Sequence, residues 1–167
     1  NFPLWEYGKQ LKETILSQIG IPVSVGIAPT KVLCKAACHW AKHHKNSQGV
    51  VALTDRHAQD LVLKQLPLHK IWGIAKGRSL PLLLQHLQTA KDLRDFSNSK
   101  LLQKLLTKIG VQIQQELQGI SCFPLVDKTS KKKEISSTRS FGNGIFDKDV
   151  LAQTLNIRNI ICGLDDR

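Results

Sequence analysis

Residues 21–45, IPVSVGIAPTKVLCKAACHWAKHHK, constrain the fold of this chain more than any other stretch. Ile21, Val23, Val25 and Ile27 alternate at period 2, which predicts a buried strand over 21–27. Pro29 suits the start of a helix, because its φ is fixed and its missing N–H is not needed in a first turn. From there Val32, Leu33, Ala36, Ala37, Trp40 and Ala41 recur at helical spacing, and Lys31, Lys35, Lys42 and Lys45 ride on the same helix. Thr30 and Lys31 stand on the turn between the two elements. A lysine at the mouth of a basic helix can hold a phosphate as a point charge. A plain βα unit with solvated lysines accounts for the same residues. On this stretch alone the plain βα unit is the favoured reading, since charge runs are usually solvated faces.

Composition narrows the partner. With 24 Lys and Arg against 13 Asp and Glu, the 167-residue chain carries a net charge of +11. That excess favours polyanions, nucleic acid ahead of an anionic membrane surface. Hydrophobic content of 41% and charged content of 22% are those of a globular chain long enough to bury a core. No run approaches the ~20 apolar residues of a spanning helix, and the charged opening residues are not a secretory signal. Cys34, Cys38, Cys122 and Cys162 follow no disulfide framework, which fits a reducing cytoplasm. The chain opens at Asn1 inside a helical pattern, and it is expected to be a piece of something longer.

Residues 3–19 place Leu4, Tyr7, Leu11, Ile15, Leu16 and Ile19 along one side of a helix that Gly20 stops. The strand and basic helix follow, then a polar turn at Asn46–Gly49 and a short strand at Val50–Leu53. The intervening helix has the length of a crossover, so Val25 and Val51 are expected in one sheet. Thr54 and Asp55 cap a helix running to about Leu66. After Pro67, a short helical turn (Leu68–Trp72), Gly73-Ile74-Ala75 and a second helix from about Lys76 have the layout of a helix-hairpin-helix. Such a turn exposes backbone N–H groups to a DNA phosphate, with Lys76 and Arg78 in reach. Leu80, Leu83, Leu84 and Leu87 are the expected packing face. Ala75 in place of a second glycine, and Pro81 inside the second helix, leave a plain helical turn as the alternative. Two further helices over 98–118 are divided at Gly110 and end at Gly119. Asp127–Glu134 has linker composition. Ile135–Phe141 begins a strand, Gly142-Asn143-Gly144 a turn, and a helix is expected from about Asp147.

Two tempting sites lose to simpler readings. Cys34, Cys38, His39, His43 and His44 lie on one helix, whereas structural zinc prefers short-spaced ligand pairs from separate elements. Small buried cysteines beside surface histidines is the better account. Asp165-Asp166, the one adjacent acidic pair, reads as solvated. No metal ligand and no catalytic residue is assigned.

Four segments, SVGIAPTKVLCKAACHWAKHH, WGIAKGRS, QELQGISCF and EISSTRSFGNGI, resemble in order the UmuC branch of the Y-family translesion DNA polymerases. The likeness covers about residues 2–155. It departs from the family pattern at Cys34, where alanine is usual, and at Thr138, which precedes Arg139. After about Leu155 the family's helix is lost in NIRNIICGLDDR, and a shifted or truncated reading frame is the expectation there.

The resemblance implies an α+β, mostly α fold in parts. Residues 1–53 would be the C-terminal portion of the palm as a partial βαβ unit. Residues 54–126 would be an all-helical thumb with the helix-hairpin-helix at about 67–87. A linker at 127–134 and the truncated start of a little finger at 135–167 complete it. Lys31, with Thr30 beside it, would contact the triphosphate of an incoming dNTP. Gly73, Ala75, Lys76, Gly77 and Arg78 would form the phosphate-binding hairpin, and Ser137, Arg139 and Ser140 the strand along the template-primer backbone. The family uses Mg2+ held by carboxylates that would precede Asn1, so this chain is expected to hold no metal and not to polymerise alone. Damaged or primer-template DNA, a UmuD-type subunit, a RecA filament and a sliding clamp are the implied partners, in a bacterial, nucleoid-associated cytoplasmic setting without membrane. The competing functions are a non-catalytic, sequence-independent DNA-binding module and a poorly folded remnant of a disrupted polymerase gene.

Overall fold

The computed structural model describes residues 3–125 and 149–150. The chain divides into two compact units, Asn1–Leu125 and Val126–Arg167. In the second, Asp149 and Val150 are helical and exposed. The expected linker, little-finger strand, Gly142–Gly144 turn and Asp165-Asp166 pair lie outside the described residues.

The first unit begins with α1 (Leu4–Ile19), closed by Gly20 at φ 75°, whose N–H donates to Leu16 O at 2.9 Å. A left-handed residue there satisfies a terminal carbonyl without a Cβ penalty. Strands β1 (Val25–Ile27) and β2 (Val50–Ala52) pair in parallel, with Gly26 opposite Val51, and α2 (Lys31–His43) crosses between them. The shared sheet and the crossover are as expected. The strand is shorter than the period-2 pattern predicts, and it is half-buried rather than buried. Its ladder runs only as far as its three-residue partner, so Ile21 is left exposed and Val23 half-buried.

Two glycines set the layers. A Cβ on Gly26 would stand 2.5 Å from Cys34 O and from Cys38 N, so α2 lies with its backbone directly on β1. On the other face, a Cβ on Gly8 would stand 2.6 Å from Val50 Cγ1, and α1 rests there. This contact corrects the expected buried face of α1. Closest approach at Gly8 turns Lys12 and Ile15 partly inward and leaves Leu4, Tyr7, Leu11, Leu16 and Ile19 exposed.

Helix α3 (Arg56–Gln65) starts at Asp55, whose carboxylate accepts from Ala58 N–H at 2.8 Å. A 3-10 turn at Leu68–Lys70 leads to α4 (Lys76–Leu83). Pro67 and Thr89 form a bridge that closes this excursion at its base. The α4 packing face differs from the expected one. Leu82 and Leu87 are buried, whereas Leu80, Leu83 and Leu84 are exposed. Pro81 lies beyond the first turn and denies Gly77 O its helical partner, and α4 stops two residues later. Only the Ser79–Leu82 side therefore reaches the core.

The sequence reading missed α5 (Ala90–Asp95), although its capping box, Thr89 with Asp92, was visible as T-A-K-D. Helix α6 (Ser99–Leu117) is broken at Thr107 (φ 65°, ψ −173°), not at Gly110 as expected. Gly110 is helical, and a Cβ there would collide with the Leu106 side chain. Val32, Leu33 and Ala37 of α2 share one hydrophobic core with Leu63, Leu82, Leu93, Leu102, Ile113 and Leu117. The expected palm and thumb portions thus meet within the first unit around α2 and α6.

Candidate phosphate-binding interface

The turn after β1 places Lys31 at the first position of α2. Thr30 is the N-cap, so the helix begins two residues later than the Pro29 start expected from the sequence. Its side chain is 3% exposed and fully committed, donating to Glu116 O at 2.7 Å and accepting from Leu33 N–H at 3.4 Å. The hydroxyl expected beside a nucleotide is therefore a structural cap. Lys31 runs outward along the surface, and its Nζ donates to Pro124 O at 2.6 Å. Beside it opens a cleft of about 570 Å³ whose walls include Lys35, Cys34, Trp72 and Phe123.

Sequence reasoning gave no role to Glu116, although it lies in the quoted QELQGISCF segment. Its carboxylate is 0% exposed. Oε2 accepts from Val32 N–H at 3.1 Å, and Oε1 accepts from Cys122 N–H at 2.6 Å and Phe123 N–H at 3.0 Å. Burial pushes its pKa up, but the N–H groups of Cys122, Phe123, Val32 and Lys31 outweigh this and hold it below the usual glutamate range. A helix N-terminus favours an anion. At α2 that place is filled from within the protein.

The hairpin presents the opposite case. Gly73 sits at φ 88°, so this turn needs glycine for its backbone, and the place of its Cβ lies beside the end of the Ile113 side chain on α6. Ala75 is the N-cap of α4 and gives no side-chain cap. Among the described residues the N–H groups of Lys76 and Gly77 have no hydrogen-bond partner, and no acidic residue lies in the first turn. Gly73, Ile74, Ala75 and Arg78 border a shallow concavity of about 430 Å³, with Lys76, Gly77 and Arg78 exposed. The DNA-contact residues expected at 73–78 are thus gathered in one place. Ser137, Arg139 and Ser140 lie outside the described residues.

The discounted cysteine–histidine set has other partners. Cys34 and Cys38 are half-buried rather than buried, and their thiols face Ala28 O and Ser24 O. His39 stacks on His43, and Trp40 on His44. Magnesium chemistry needs converging carboxylates. Among the described residues no three His, Cys, Asp or Glu side chains come together to hold a metal. Both oxygens of Glu116 are taken by backbone N–H groups, and Asp60 and Asp95 are paired with Arg94. The described residues do not fit the family's ions. No described helix is long and apolar enough to cross a membrane.

The impB/mucB/samB family pattern matches residues 3–39. The chain is 35% identical over 152 residues to Protein ImpB of Salmonella typhimurium, covering 89% of this chain and 35% of that protein. It is 31% identical over 153 residues to Protein UmuC of Salmonella typhimurium strain LT2, covering 91% and 36%. It therefore spans about a third of the length of these curated relatives. Its fold is similar to a solved chain described as a Dbh ternary complex with partially disordered substrates, at a TM-score of 0.54 and 25% identity over 71% of this chain and 34% of that one. The order of the four motifs, the βαβ unit with its lysine, and these likenesses over nine-tenths of the sequence agree: the chain belongs to the UmuC branch of the Y-family translesion DNA polymerases.

Proposed function

We propose that this chain is the part of a translesion DNA polymerase that grips primer-template DNA by its phosphates and offers Lys31 to the triphosphate of the incoming dNTP. The observation that carries the DNA part is the uncapped N-terminus of α4 behind Gly73, flanked by Lys76 and Arg78. Two N–H groups without a partner among the described residues, the helix dipole and the neighbouring exposed Lys76 and Arg78 supply the combination that suits a backbone phosphate. Such contacts carry no base information, so binding is independent of sequence. Lys31 would release Pro124 O and meet a phosphate oxygen instead, while Thr30 acts through the cap it gives α2. Ser137, Arg139 and Ser140 would extend the grip along the template-primer backbone. The same family reading assigns dNTP, Mg2+, a UmuD-type subunit, a RecA filament and a sliding clamp to the intact enzyme, in the bacterial cytoplasm. No metal-dependent step is derived for the residues described here, and the chain alone is expected not to extend a primer.

The test is fluorescence anisotropy of the purified chain with primer-template DNA across a salt series. The affinity should fall steeply with salt, log K dropping by about 0.9 per released contact on duplex DNA. Lys76→Ala and Arg78→Ala should each weaken binding equally on unrelated sequences and reduce that slope by about one contact. Absent binding, or binding insensitive to salt, would sink the proposal.

A further inference from the structure

The QELQGISCF segment is the motif to which neither the hairpin nor the lysine gives a purpose. Its Glu116 joins the start of α2, 84 positions away, to the backbone that follows α6. Oε2 holds the first turn of α2 through Val32 N–H, and Oε1 holds the 122–123 backbone through two N–H groups. Glu116 O holds the Thr30 hydroxyl at the same turn. The segment so anchored then makes two contacts of its own. Pro124 O receives the Lys31 ammonium, and Phe123 meets Trp72, next to Gly73, edge to face at 5.4 Å between ring centroids.

We propose that Glu116 is the positioning residue of the Lys31 site: by clamping residues 122–123 against the start of α2, it sets where the Lys31 ammonium stands. The inference rests on the reading of Lys31 as a phosphate contact. The geometry has two parts. A carboxylate accepts at both oxygens, so one side chain satisfies a helix terminus and a returning chain together. It also occupies the α2 amides, so an incoming phosphate finds the lysine side chain and not the helix terminus behind it. An amide in place of the carboxylate would keep an acceptor for Cys122 and Phe123 but turn a donor toward Val32 N–H, and the joint between helix and segment would open.

The experiment follows tripolyphosphate binding to the full chain by NMR, with Glu116→Gln, Glu116→Asp, Lys31→Ala and the Glu116→Gln/Lys31→Ala pair. In the parent, the ligand should shift the Lys31 side-chain resonances, and Lys31→Ala should weaken binding, followed by backbone amide shifts, to a residual level that can still be measured. Glu116→Gln should weaken binding roughly tenfold, the low end of what loss of an outer-sphere support costs at built sites. It should also move the Val32, Cys122 and Phe123 amide signals, while Glu116→Asp lies between the two. In the Lys31→Ala background Glu116→Gln should cost nothing further, a coupling that general destabilisation would not produce. Binding by a folded Glu116→Gln chain as tight as the parent's, or tighter, overturns the proposal. If Glu116→Gln does not fold, Glu116→Asp decides it by the same measure. If the parent binds no tripolyphosphate, the phosphate reading of Lys31 falls, and the ligand-free Lys31 resonances decide the positioning role. Unchanged in the Glu116 variants, they overturn it; displaced, they uphold it.

Discussion

At the scale of single residues, the lysine is carried by a glycine and a glutamate. Gly26 fixes the distance between β1 and α2, and so the point at which Lys31 leaves the sheet. The atoms its Cβ would strike are backbone, Cys34 O and Cys38 N, which cannot rotate aside. Gly26→Ala is expected to destabilise the chain by about 1–3 kcal/mol, seen as a lower melting temperature by circular dichroism. An unchanged melting temperature would refute so close an approach. Gly26 could be read from its V-G-I setting as a residue of interest. Glu116 could not. An acidic side chain near a helix end looks solvated until the fold brings Val32 to it across 84 positions. Thr30 shows the converse, since a hydroxyl beside a candidate phosphate lysine suggests a ligand and serves as a cap.

Among the elements, α3 and α5 are joined by charge as well as by packing. Arg94 is 2% exposed, and its Nε and Nη2 donate to the two oxygens of Asp95 at 2.7 Å and 3.0 Å, while Nη1 pairs with Asp60. Arg94 pulls the Asp95 carboxyl down to about 2, against burial, with Lys91 adding to the effect. The folded value lies below the ~3.9 of an unfolded aspartate. The pair therefore stabilises the fold fully above that value, and its contribution is lost as pH falls from about 4 towards 2. Melting temperatures measured across that window should drop, and Asp95→Asn should flatten the drop. An acid slope identical in the variant would show that the ion pair is not its source. Long helices with a periodic apolar face were legible at this scale, α2 most of all. What periodicity misjudged were α1 and α4, where a close approach at Gly8 and an interrupting Pro81 decided which side faces inward.

For the first unit as a whole, the same core runs from α2 through α3, α4 and α5 to α6. Trp5, Trp40 and Trp72 all belong to this unit, Trp40 packed against the core and the other two exposed. If that core is cooperative, thermal unfolding followed by tryptophan fluorescence and by far-ultraviolet circular dichroism should give one coincident transition. Separate or absent transitions would instead support the remnant reading. The ordered series of motifs made the family legible at this scale. The joining of its parts by the 116–124 segment was not, because no local pattern announces a backbone held by a distant carboxylate.

Both α2 and α4 begin with a lysine, and each turns a partial positive charge outward at that end. The protein neutralises the first pole with its own Glu116 and leaves the second bare. A net charge of +11 attracts a polyanion to the molecule at large, but only an unneutralised pole gives the encounter an address. Under the proposed function, an arriving strand of phosphates would be steered toward Gly73 and Lys76, and the neighbourhood of Lys31 would stay free of it. In the proposed polymerase role this would be a division of labour between two anions of similar chemistry, the duplex backbone and the nucleotide tail, made by filling one helix end and leaving the other empty.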